Sequence, residues 1–327
     1  MLQFNEAELV LGGVPGFPMA CPYSKQGTPG GYSTTGNVHN GQRKLLLSEI
    51  EFLTQVLHIP ILGLHSANDG KTFPPLRRYL CVYAGACPCT HLDDLLELFP
   101  NICFVLVDPR FGSAEYKRYQ TRWDTRRVAV CANVFDDNTA QAVAEWASGR
   151  HTHHWIHAKL KSLDLQQDEV GYDHLLFISD VRSDALDEHA IAKDMDAQQR
   201  WFRILYASAG LLKFRLPFCN DKWYKEYAQH NGVRSYLHGT IYLPIWGPPS
   251  TTECRLYVRR GCGVKNYSPK EHESIMAGFE SHDRKQQYMV ANRVFHSFDE
   301  AAEMSVLLAY QLCMSHYGYT ARLCCLV

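Results

Sequence analysis

Two residues of this chain stand where a nucleotide-handling site would need them. Gly85 follows a short apolar run, Tyr79 to Tyr83, just ahead of a helical pattern, and Asp108 ends the next apolar run, Cys103 to Val107. In doubly wound sheets a glycine at the first strand–helix turn lets a ligand approach the backbone. An acid roughly 20 residues further on accepts the hydroxyl protons of a ribose. That chemistry suits any adenosine-containing cofactor. The turn itself, Ala84-Gly85-Ala86-Cys87-Pro88-Cys89, lacks the full G-x-G-x-x-G fingerprint and any pyrophosphate cradle. This favours S-adenosylmethionine, which has no phosphate to bind, over NAD. Two further sets, Cys87, Cys89 and His91, and His151, His153, His154 and His157, look like ligand clusters. Zinc sites ordinarily need four ligands in paired motifs, and a metal in the first set would block the cofactor turn, so no metal is expected.

The elements that must position Gly85 and Asp108 follow from hydrophobic periodicity. Leu46, Ile50, Leu53 and Leu57 make one face of a helix starting near Gly41. Leu92, Leu95, Leu96 and Phe99 make the buried face of a second helix. Val128 to Ala132 and His174 to Ser179 read as buried strands with a helical segment, Asp137 to Trp146, between them. A helix over Asp194 to Ala209 and a strand over Leu211 to Phe218 follow. Short apolar runs alternating with helices predict an α/β fold with a mostly parallel sheet covered on both faces. Residues from about Ser235 to Val258 are β-rich and broken by Pro248 and Pro249, which predicts antiparallel strands at one edge. A capping-box pattern, Ser297 then Glu300, opens a last helix running towards Tyr317.

The Gly- and Pro-rich residues 1–40 read as an irregular arm, and 41–327 as one domain. The chain has 327 residues, 46% of them hydrophobic, and a formal net charge of -1, which excludes a globally basic nucleic-acid binder. Any RNA grip must come from a local patch. The first segment ends in no Gly-Lys-Ser/Thr, so a P-loop is not supported. No apolar run of about 18 residues suggests a membrane span. Met1 to Val10 lacks a signal-peptide pattern, so the twelve cysteines read as reduced intracellular thiols, in cytoplasm or nucleus.

Several ordered motifs carry a resemblance to a known family. They are Gly41-Gln42-Arg43-Lys44-Leu45-Leu46-Leu47, Tyr83-Ala84-Gly85 with Pro88 and Thr90-His91, and Asp108-Pro109-Arg110. Ile178-Ser179-Asp180-Val181-Arg182-Ser183, Leu212-Lys213-Phe214-Arg215-Leu216-Pro217-Phe218 and Thr252-Glu253-Cys254-Arg255-Leu256 continue the series. The set, spanning roughly Gly41 to Met276, resembles the poxvirus cap-specific mRNA 2′-O-methyltransferase, which doubles as the small subunit of viral poly(A) polymerase. Against that family's pattern, residues 149–173 read as an insertion. The resemblance implies a Rossmann-like methyltransferase fold and S-adenosylmethionine as cofactor. It also implies a catalytic Lys-Asp-Lys-Glu set at Lys44, Asp180, Lys213 and Glu253, with Lys213 as general base. A ribose hydroxyl is a poor nucleophile, so it must be aligned with the methyl group and relieved of its proton. By themselves Lys44 reads as a solvated surface charge and Asp180 as a cap or turn acceptor.

For the cofactor the resemblance implies Gln42, Tyr83, Gly85, His91, Asp108, Arg110, Phe135 and Asp180. It departs at Cys89, where the family has glycine; a positive φ there would cost Cys about 1 kcal/mol. For the methylated cap it implies Phe218 as one stacking ring, Asp221 and Glu273 as acids, and a second ring from the arm, Tyr23 with Tyr32 as alternate. Arg182, Arg215 and Arg255 would contact RNA phosphates, with Lys117-Arg118, Arg126-Arg127 and Arg259-Arg260 extending that path. Expected partners are capped mRNA and either a poly(A) polymerase catalytic subunit or other capping machinery. The rival readings are a non-catalytic cap- and RNA-binding processivity subunit and an NAD or nucleotide-sugar oxidoreductase.

Overall fold

The computed structural model describes residues 37–64, 77–150, 153–165, 171–184, 187–219, 232–247 and 251–318. The stacking candidates Tyr23 and Tyr32, and the acid Asp221, lie outside these residues. The first helix, α1, spans Asn37–Leu64 and opens inside the stretch read as irregular arm, because the Gly and Pro run has already ended at Gly36. Leu46, Ile50, Leu53 and Leu57 are buried along it as the periodicity requires, and Phe52 joins them.

Strands β1 (Tyr79–Ala84), β2 (Ile102–Val107), β3 (Val128–Cys131), β4 (Leu175–Ser179) and β5 (Ala209–Phe214) run parallel to one another. The first four are buried at every residue, which demands cover on both faces and explains their unbroken apolar sequences. Cover comes from α1, α2 (Leu92–Leu98), α3 (Asp137–Ala147) and α5 (Glu188–Leu205), with α4 (Trp155–Leu160) beside β3 and α3. Strands β7 (Thr240–Tyr242) and β8 (Cys254–Arg259) close the sheet antiparallel, in the order β3-β2-β1-β4-β5-β8-β7. This is a Rossmann-like α/β architecture with an antiparallel edge.

Some boundaries differ from the sequence reading. Helix α5 begins at Glu188 because Asp187 caps it, accepting the His189 N–H, and it stops where Tyr206 turns left-handed (φ 51°). Strand β5 ends at Phe214, opposite Cys254, so Arg215 to Phe218 leave the sheet. Strand β6 (Arg234–Leu237) does not join the main edge but pairs with β9 (Val264–Tyr267). Helix α6 (Pro269–Ser281) and the hairpin β10 (Tyr288–Val290) with β11 (Arg293–Phe295) were not anticipated. Helix α7 (Phe298–Ser315) packs against α1. Among the described residues no helix is long and apolar enough to cross a membrane.

Candidate active site

Strand order decides where a site can form. Between β1 and β4 the connections depart to opposite sides, which opens a crevice at the carboxyl ends of the parallel strands. Ala84 pairs with both Val107 and Ser179, so β1, β2 and β4 end level and their next residues face one cleft. The cleft measures about 1000 Å³ and is lined by Gln42, Gly85, Asp108, Phe135, Asp180 and Lys213 among others.

Gly85 is required twice over. Its φ is +73°, and a Cβ there would lie 2.7 Å from the Val181 nitrogen and 2.9 Å from the Asp180 carbonyl carbon. The turn after β1 thus lies directly against the residue after β4, and only a missing side chain permits it. Asp108 is buried and accepts N–H groups from Cys87 at 3.2 Å and Arg110 at 2.8 Å, while the Arg110 guanidinium binds both its oxygens. Phe135 packs edge-on to Trp201 at 5.1 Å, forming an apolar wall with Val134. A buried carboxylate and an apolar wall on one cleft, with no phosphate cradle beside them among the described residues, fit an adenosine cofactor without phosphates. Cys89 has φ 48° and is buried, so it carries the backbone strain foreseen for a non-glycine residue there.

At the other end of the cleft the structure gathers a charge cluster. Lys213 Nζ lies 3.0 Å from Asp180 Oδ1 and 3.5 Å from Glu253 Oε2, and Lys44 Nζ lies 3.3 Å from Glu253 Oε1. Each residue comes from a different element: the first turns of α1, the end of β4, β5, and the residue leading into β8. Because β8 runs antiparallel, its start lies at the same edge as the ends of β4 and β5. Two arginines complete the cluster. Arg255, paired across the strands with Lys213, donates to Asp180 at 2.6 Å, and Arg182 donates to Glu253 at 3.3 Å. Burial alone would raise the Asp180 carboxyl, but Arg255 and Lys213 outweigh it and hold it at about 2. Glu253 is likewise kept well below the usual carboxylate range, burial being overcome by Lys213, Lys44 and the two arginines. Both carboxylates are therefore ionised at neutral pH.

No protein-family model matches the chain. It is similar to the cap-specific mRNA (nucleoside-2′-O-)-methyltransferases of Myxoma virus strains Lausanne and Uriarra, at 24% identity over 270 residues in each case. The match covers 80% of this chain and 64% of each relative's length.

The remaining sequence candidates divide. Gln42 and Arg110 line the cleft, but Tyr83 and His91 do not: both are buried behind it, bonded to Glu49. The expected phosphate contacts Arg182 and Arg255 are instead engaged by the two carboxylates, Arg255 being buried. Arg215 pairs with Glu188 and lies over the Phe218 ring at 4.5 Å, away from the cleft. Glu273, on α6, accepts the Cys219 N–H at 2.6 Å beside Phe218. The Arg127 guanidinium donates to the carbonyls of Leu96, Phe99 and Ile102. Arg126 pairs with Asp124 and Arg260 with Asp173, whereas Lys117 and Arg118 are exposed. Both ring nitrogens of His91 are taken by Gln42 and Glu49, and among the described residues no group of His, Cys, Asp and Glu could hold a metal. His157, in the stretch read as an insertion, is buried and bonds the Ala142 carbonyl at 2.7 Å. Sequence reasoning missed the wall formed by α5, where Lys193, Ala197, Arg200 and Trp201 face the cleft. Their i, i+4, i+7, i+8 spacing was the available signal.

Proposed function

We propose that this chain transfers a methyl group from S-adenosylmethionine to the ribose 2′-hydroxyl of a cap-proximal nucleotide in capped RNA. The observation that carries the reading is the Lys44–Glu253–Lys213–Asp180 cluster, set against the Gly85–Asp108 end of the same cleft. Its relatives' name supplies the substrate class. When bound, the cofactor supplies a methyl group activated on a sulfonium.

In this reading Asp108 holds the ribose hydroxyls, Val134 and Phe135 flank the adenine, and Gly85 lets the turn after β1 close against Asp180 and Val181 so that both ends of the cleft are joined. Asp180 and Glu253 fix the Lys213 nitrogen in space, each accepting one of its N–H groups, so that its lone pair meets the substrate hydroxyl at one defined point. Lys213 in its neutral amine form takes the hydroxyl proton and becomes the ammonium that the two carboxylates hold, and Lys44 steadies the oxygen from the α1 side. Lys44, Arg182 and Arg255 stand beside the two carboxylates, leaving an excess of positive charge even with Lys213 neutral, which suits an anionic RNA backbone. The cap is assigned to the Phe218 and Glu273 region, where a methylated guanine would share the ring with Arg215.

The test is transfer of labelled methyl from S-adenosylmethionine to short capped RNAs carrying either 2′-hydroxyl or pre-methylated ribose at each leading position. Wild type should modify one position, and Lys213→Ala should reduce the rate by about 10²–10⁴-fold, the usual worth of a general base, with cofactor affinity retained. Cofactor binding without transfer to any capped RNA would replace this reading with a non-catalytic cap- and RNA-binding subunit, such as a polymerase partner.

A further inference from the structure

Behind the cleft wall lies a chain of buried hydrogen bonds that the proposed reaction does not use. It runs from β1 through α1 to the turn preceding α2. Tyr83 donates its hydroxyl to Glu49 Oε1 at 2.7 Å, Glu49 Oε2 lies 2.7 Å from His91 Nε2, and His91 Nδ1 lies 2.9 Å from Gln42 Oε1. Glu49 is 1% exposed and His91 5%. Burial, reinforced by the Glu49 carboxylate, pushes the Tyr83 phenol well up, so it stays a donor.

The donor inventory fixes the orientation of the last link. The Thr90 backbone N–H can only donate, and it points at the Gln42 side-chain terminus at 2.9 Å, as the Thr90 hydroxyl does at 3.1 Å. The Gln42 atom facing them is therefore the carbonyl oxygen, and His91 Nδ1 must carry a hydrogen to join them. His91 Nε2 and Glu49 Oε2 then share one proton, whichever of them holds it. With its oxygen taken by three donors, Gln42 has its NH2 group left as the donor it can offer in the cleft it lines.

Strand order says what that NH2 group meets. A cofactor laid across the strand ends, with adenine by Phe135 after β3 and ribose by Asp108 after β2, brings its tail past β1 to Gln42. We infer that Glu49 is a positioning residue: through His91 it locks Gln42 so that its amide hydrogens are presented to an acceptor, the carboxylate of the cofactor's amino-acid end. This rests on the cofactor reading above. It also reassigns Tyr83 and His91 from cofactor contacts to supports of one.

Calorimetric titration separates this role from general structural support, using two ligands that share adenosine. S-adenosylhomocysteine has the amino-acid end, and 5′-methylthioadenosine lacks it. Glu49→Leu should weaken S-adenosylhomocysteine by about 10-fold, the scale of one charge-assisted hydrogen bond, and change methylthioadenosine by less than about twofold. KM for S-adenosylmethionine should rise more than kcat falls. Glu49→Gln should restore wild-type affinity, since its amide still accepts from Tyr83 and donates to His91 Nε2. If Glu49→Leu does not fold, Gln42→Leu, at the partly buried end of the chain, must show the same selective loss. Equal weakening of both ligands, loss of neither, or no rescue by Glu49→Gln overturns the inference. Wild type binding neither ligand overturns the cofactor reading itself.

Discussion

At Gly85 a single missing side chain joins the two halves of the site. The residue's positive φ was foreseeable from its place at a strand–helix turn, but its contact with the Asp180–Val181 backbone was not. Gly85→Ala therefore combines left-handed strain, about 1 kcal/mol, with a backbone clash that must push β1 and β4 apart. The expected outcome is a lower melting temperature together with at least about 10-fold weaker S-adenosylhomocysteine binding, read by thermal denaturation and calorimetry. An alanine variant that binds normally would show that the turn and Asp180 move independently. Arg182 and Arg255 teach the opposite lesson. Their charge was legible and their partners were not, because only folding brings Glu253 beside Arg182 and Asp180 beside Arg255.

Helices and strands were legible wherever the pattern was local. Ser297 caps α7 by accepting the Glu300 N–H at 3.3 Å, but Glu300 reaches back to the His296 N–H rather than to Ser297 itself. Since α7 packs on α1, which carries Gln42 and Lys44, losing that cap matters beyond the helix end. Ser297→Ala should cost about 1 kcal/mol, measured by chemical denaturation, while Ser297→Asp should not; equal stability of the alanine variant would mean the cap bond is absent in solution. Helix α6 announces itself through Ser268, Pro269 and Glu271, a capping pattern the sequence reading passed over. The β10–β11 turn gave no such sign, because Ala291 and Asn292 occupy the left-handed positions where Asn-Gly would have been recognised.

For the whole molecule the charge cluster links the site to stability. Asp180 titrates at about 2 in the fold against an ordinary value of 3.8, so on acidification the unfolded chain takes up the proton first. Its contribution is present above about pH 4 and disappears as pH falls towards about 2, with Glu253 acting in the same direction. The melting-temperature advantage of wild type over Asp180→Asn should therefore shrink across that acid window; a difference unchanged from neutral pH to about pH 2 would contradict the assigned pairing. The order of apolar runs, the turn glycine, the acid after β2 and the motif residues were all written in the amino-acid sequence, because each depends on neighbours close along the chain. Only tertiary structure decided that Glu253 enters from an antiparallel strand, that Arg255 faces Lys213 across it, and that Glu49 couples Tyr83 and His91. Those pairings join residues far apart along the chain, where register and burial, and not local propensity, choose the partner.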